Sequence, residues 1–114
     1  VVQDLTIRKG TAHDGGGLYC YNANPTLTNC TITGNTAYYG GGVYCEWYSG
    51  PTLTNCTISG NTADYAGGLV CLSNASPTLT NCTIINNSSH GVYCSGSSPT
   101  LTNCILWADL PQEI

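Results

Sequence analysis

The hexapeptide Pro-Thr-Leu-Thr-Asn-Cys occurs four times, at 25–30, 51–56, 77–82 and 99–104, with starts 26, 26 and 22 residues apart. A period of this size marks a solenoid, in which each repeat is one supersecondary unit stacked on its neighbours. A second block ending in cysteine falls between the copies. It reads Gly-Gly-Gly-Leu-Tyr-Cys to Cys20, Gly-Gly-Gly-Val-Tyr-Cys to Cys45, Ala-Gly-Gly-Leu-Val-Cys to Cys71 and Gly-Val-Tyr-Cys to Cys94. Almost none of the 114 residues falls outside this pattern, so residues 1–114 form a single domain.

Within the hexapeptide the side chains alternate as in a strand. Leu27 points inward between Thr26 and Thr28. Asn29 breaks the phase, after which Cys30 and Ile32 point in and Thr31 and Thr33 point out. An Asn at such a break suits a one-residue corner, because it tolerates the left-handed region. Gly34 and Asn35 close the next strand, and Leu18-Tyr19-Cys20 reads as a third. Each coil is therefore expected to hold three short strands joined by a loop, an Asn corner and a Gly-rich connector such as Thr36 to Gly42. Val1 to Ile7 aligns with Thr26 to Ile32, Val2 standing for Leu27 and Asp4 for Asn29. The chain thus begins, and also ends, in mid-coil. No stretch carries a sustained 3.6-residue apolar period, so no substantial helix is expected.

Coils stacked about 4.8 Å apart make three parallel sheets in which identical residues lie over one another. The expected inward columns are Leu27, Leu53, Leu79 and Leu101; Ile32, Ile58, Ile84 and Leu106; and Leu18, Val43, Leu69 and Val92. Two cysteine columns join them, Cys20, Cys45, Cys71 and Cys94, and Cys30, Cys56, Cys82 and Cys104. Asn29, Asn55, Asn81 and Asn103 are expected to form an amide ladder.

These motifs resemble right-handed parallel β-helix repeats of the pectate-lyase-like superfamily. The closer likeness is to repeat domains of large extracellular bacterial proteins and polymorphic outer-membrane proteins. That resemblance covers essentially the whole chain and implies an all-β, right-handed solenoid of four to five coils. It is specific for the fold and spans functions from lyases to adhesins and passive spacers.

Composition narrows the function. Only 7% of residues are charged and the formal net charge is -4, which argues against nucleic acid or an anionic membrane as partner. No apolar run approaches the roughly 20 residues of a membrane span. The chain has no initiator Met and no secretory signal, and is expected to be processed or excised. Eight cysteines suggest an extracellular or cell-surface setting. None has metal-like spacing; they either stack as small apolar thiols or bridge adjacent coils.

Enzymes of the resembling superfamily carry clustered acids and a base on the outer face of one sheet. That face here presents Tyr19, Tyr44, Val70 and Tyr93, while the six acids fall in different columns and the only Lys and Arg are the neighbours Arg8 and Lys9. No catalytic set, metal site or cofactor site can be assembled. His13 and His90 read as solvated loop residues. The expected role is structural. The chain's ends, Val1 and Val2 at one and Leu110 and Ile114 at the other, continue one another's coil path. Chains would then stack head to tail into a filament, or the chain is a segment of a longer extracellular β-helix. Exposed aromatics, Tyr19, Tyr44, Tyr93, Trp47 and Tyr48, offer an interface or, alternatively, a carbohydrate-binding or adhesive surface. Ice binding through the Thr-x-Thr columns and a polysaccharide-active enzyme are weaker alternatives.

Overall fold

A computed structural model describes residues 1–112. The first coil contains β1 (Val2–Gln3), β2 (Thr6–Arg8), β3 (Thr11–Asp14) and β4 (Leu18–Tyr21). The second contains β5 (Thr26–Thr28), β6 (Thr31–Thr33), β7 (Thr36–Tyr39) and β8 (Val43–Glu46). The third has β9 (Thr52–Thr54), β10 (Thr57–Ser59), β11 (Thr62–Tyr65) and β12 (Leu69–Leu72). The fourth has β13 (Thr78–Thr80), β14 (Thr83–Ile85), β15 (Ser88–His90) and β16 (Val92–Ser95). A partial fifth adds β17 (Thr100–Thr102), β18 (Ile105–Trp107) and β19 (Leu110–Gln112). No helix occurs among the described residues.

Every strand pairs in parallel with its counterpart one coil away. The first sheet runs β1-β5-β9-β13-β17, the second β2-β6-β10-β14-β18 and the last β4-β8-β12-β16. The alignments read from the sequence hold, with Val2 opposite Leu27, Leu53 opposite Leu79, Ile58 opposite Ile84 and Cys71 opposite Cys94. Asp4, Asn29, Asn55, Asn81 and Asn103 all sit at positive φ, from 53° to 57°. These are the corners that let one alternating phase end and the opposite begin.

The connector departs from the expected loop. Thr36–Tyr39 is a strand, and β3, β7 and β11 form an additional three-stranded sheet. Its inward residues are Ala37 and Ala63, too small to show as an apolar period. In the fourth coil the connector is shorter, and the ladder breaks between β11 and β15. The Ser88 hydroxyl there donates to the Ala63 carbonyl at 3.0 Å and accepts from the Ala63 N–H at 2.8 Å. β15 then pairs onward with β19, Ser88 lying opposite Leu110.

The core is the bore of the coil, filled by the Leu, Ile, Val and two Cys columns. Fixed-period stacking makes each buried side chain pack on its own kind, so one repeat's solution serves all of them. Gly42 shows the tolerance. A methyl built there would stand 2.7 Å from the Gly68 carbonyl oxygen and 2.8 Å from Ile58 Cγ2.

Candidate functional site

A buried polar spine runs beside the apolar bore. Asn35, Asn61, Asn87 and Asp109 close the second strand of successive coils, and all four are buried. Asn35 donates from its backbone N–H and from Nδ2 to Asn61 Oδ1, at 3.0 and 3.1 Å. Asn61 does the same to Asn87 Oδ1, both at 3.0 Å, and Asn87 to Asp109 Oδ1 at 2.7 and 2.9 Å. Each amide also donates back to the Ile one coil below, Asn61 to the Ile32 carbonyl and Asn87 to that of Ile58, both at 3.0 Å.

This spine, not the corner column, is the continuous ladder. At the corners Asn29 bonds to Asp4 at 3.0 Å and Asn55 to Asn29 at 3.3 Å, but all of these residues are exposed. Asn81 and Asn103 occupy the same exposed corners. The physical reason is the left-handed turn, which turns the corner side chain out of the bore, whereas the strand-end Asn points into it.

The eight cysteines are free thiols. In the corner column each sulfur donates to carbonyls, Cys56 to Leu27 and Thr54 at 3.6 and 3.4 Å, and Cys104 to Leu79 and Thr102 at 3.5 and 3.4 Å. In the strand column the cysteines lie in register on adjacent coils, Cys20 opposite Cys45 and Cys71 opposite Cys94. The neighbouring Cys20 thiol, with burial, pushes the Cys45 thiol well up; Cys94 and burial do the same to Cys71. Among the described residues no group of three or more His, Cys, Asp or Glu could hold a metal ion.

The outer face carries a constellation that the sequence reading missed. Glu46 follows Tyr44 at the same outward phase, and its carboxylate accepts the Tyr19 hydroxyl at 2.6 Å and the Tyr44 hydroxyl at 3.3 Å. The bond to Glu46 raises Tyr19 to about 12. Burial, reinforced by the Glu46 and Asp14 charges, raises Tyr44 as well. Asp14 lies beside this pair and bonds to His13 Nδ1 at 2.9 Å. The signal available in the sequence was the two-residue spacing of Tyr44 and Glu46.

The expected aromatic row is interrupted. Tyr19 is 45% exposed, yet Tyr44 is 5% and Val70 0%. Tyr39 and Leu72 pack on Tyr44, Ala66 and Val70 in a small second cluster outside the bore. Tyr44 is therefore not a contact residue, because the strand formed by the connector brings Tyr39 against it, 6.4 Å between ring centroids. Tyr19 and Tyr44 stack at 5.4 Å and 15°, and Tyr21 and Trp47 at 6.3 Å and 17°, so these rings cover one another's faces. Trp47 and Tyr48 are 50% and 64% exposed, both at positive φ, and Tyr93 is also exposed.

The sequence signature described as right handed beta helix region matches residues 2–108. The chain belongs to the right-handed β-helix family. No curated protein and no solved structure matches it. Membership in this β-helix family gives the hand of the coil and leaves activity open.

At the edges of this β-helix the same columns lie half open. Val2, Ile7 and Leu18 are partly buried at one edge, Leu101, Leu106 and Cys104 at the other. Val1 is almost fully exposed, and Leu110 joins the fold through β19. The expectation for Ile114 lies outside the described residues. A shallow polar groove of about 400 Å³, lined by residues including Gly60, Thr62, Asn86, Ser88 and Ala108, contains no titratable side chain.

Proposed function

We propose that this β-helix is a non-enzymatic structural module of the cell exterior whose working surfaces are its two coil edges. The supporting observation is the identity of the columns that reach those edges. A coil with Leu at the Leu27 place and Ile at the Ile32 place fits on either side, and the partly buried Val2, Ile7, Leu101 and Leu106 await one. Covering each would contribute about 1 kcal/mol, half the burial of an aliphatic side chain. Unpaired N–H and C=O groups of the edge strands add a directional reason to pair. The occupant is a second copy of the chain placed head to tail, or the adjoining coils of a longer chain. Both make the same heterologous contact, which does not close and so extends as a filament or a stalk.

The outer-face acids support the non-enzymatic part of the reading. Glu46 spends both oxygens on tyrosine hydroxyls. A carboxylate engaged in this way braces two tyrosines of the outer face, a structural task. Sedimentation velocity over a concentration series tests the proposal. Growth into linear species is expected, and a monomer at every concentration overturns self-stacking.

A second reading is favoured by Trp47 and Tyr48. Two bulky residues in succession at φ 59° and 63° carry a backbone cost of about 1–2 kcal/mol each. The matching stretches of neighbouring coils use Asn22, or Ser73 and Asn74. An exposed aromatic pair held at such a cost suits a cell-surface glycan. Glycan-array binding lost on Trp47→Ala would support it; no binding by the parent chain ends it.

A further inference from the structure

The strand column of thiols ends differently from the corner column. Cys71 is fully buried on β12, and Cys94, its partner in register on β16, is exposed. β16 is the edge strand of its sheet among the described residues, paired on one side only. Parallel in-register residues stand about 4.8 Å apart at Cα, inside the 4.4–6.8 Å range of disulfides. An edge strand can also make the small shift that closing such a bond requires. Cys104, the partly exposed end of the other column, has its thiol hydrogen held by two carbonyls. Cys94 instead stands over Cys71 at the open edge, near the Ser97 hydroxyl, which donates to the Cys71 carbonyl at 2.8 Å.

The geometry points to Cys94 and Cys71 as a thiol pair, nucleophile and resolving partner, that reacts with small-molecule disulfides and closes a bridge between the third and fourth coils. In the first step the Cys94 thiolate attacks one sulfur of the disulfide RS–SR. The S–S bond breaks and RS⁻ leaves with the electron pair. In the second step Cys71 gives its proton to the departing thiolate or to water, and its sulfur attacks that of Cys94 and expels the second RS⁻. The two cysteines are oxidised by two electrons, and one RS–SR is reduced to two thiols. The neighbouring Cys71 thiol brings the Cys94 thiol down to about 7, which supplies thiolate at neutral pH. A further coil laid on β16 would cover Cys94, so the reaction also reports an open edge.

The test uses the native chain, taken at a concentration where it sediments as a monomer, and an aromatic disulfide whose released thiolate is coloured. Two thiolates released per chain are expected, with no retained adduct and a Cys71–Cys94 crosslink on peptide mapping. Cys71→Ala should release one and keep the adduct on Cys94. Should that variant fail to fold, iodoacetamide on the native parent chain gives the second readout, a single label on Cys94. One thiolate with a stable adduct in the parent chain, a crosslink elsewhere, or an unreactive Cys94 overturns the proposal.

Discussion

Asn61 Oδ1 accepts two hydrogen bonds from Asn35 one coil below, from the backbone N–H at 3.0 Å and from Nδ2 at 3.1 Å. The same amide donates to Asn87 and to the Ile32 carbonyl, so four polar groups depend on one buried side chain. Asn61→Ala leaves several of them buried and unpaired, at about 1–3 kcal/mol apiece. The expected loss is about 3 kcal/mol or more in chemical denaturation. Asn55→Ala, at an exposed corner, should cost only about 1 kcal/mol, because Ala lacks the short amide that lets Asn tolerate the left-handed region, and Asn55→Gly should be nearly neutral. Equal losses at the two sites would contradict the assignment of the ladder.

The glycines divide in the same way. Gly42→Ala forces a methyl against the Gly68 carbonyl, Ile58 and Asn61, and should cost about 3 kcal/mol or abolish folding. Gly34, by contrast, has positive φ, 66°, and nothing lies within 4 Å of an added methyl. Gly34→Ala should cost about 1 kcal/mol, the backbone penalty alone. Thermal melts of the two variants check this.

Tyr19 is the residue to follow by alkaline titration. Its hydrogen bond to Glu46 raises it from the ordinary value of about 10 to about 12. A raised folded value means that the stabilisation is complete below pH 10 and lost as pH climbs through about 12. Its size is small, because Tyr19 is half exposed and the pair is screened. Glu46→Gln should bring this tyrosine back towards about 10 in an absorbance titration, whereas a titration that Glu46→Gln leaves unchanged would break the assignment.

Cys94 has the opposite sign. The thiol neighbour lowers it to about 7, so its alkylation rate should rise through a midpoint near pH 7. Removing the neighbour with Cys71→Ala should move that midpoint up towards the ordinary thiol value of about 8.5. Rates that follow the same curve in both chains would show that Cys71 does not act on Cys94.

The repeat made most of the bore legible. Thr-Leu-Thr and Thr-Ile-Thr alternate plainly, and the phase slip at Asn29 located the corner to the residue. Thr36–Tyr39 was not legible as a strand, because its inward residue is Ala37 and the glycines beside it read as loop. That one omission explains the errors on the outer face. Without β7 there is nothing to bury Tyr44, and Tyr39 has no reason to meet it. The corner column carries two links of the expected ladder, Asn29 to Asp4 and Asn55 to Asn29, yet repetition alone does not distinguish an exposed corner from a buried strand end. Only the direction of the side chain does, and Asp109 in the Asn35 column hinted at a buried acceptor there.

The central proposal is that a second copy of the chain continues each coil edge. Fibre diffraction and negative-stain imaging of the concentrated chain test it most directly. The account predicts unbranched rods one coil wide with a strong axial spacing of about 4.8 Å, the distance between parallel strands. Discrete monomers at the same concentration, with no axial repeat, would contradict it.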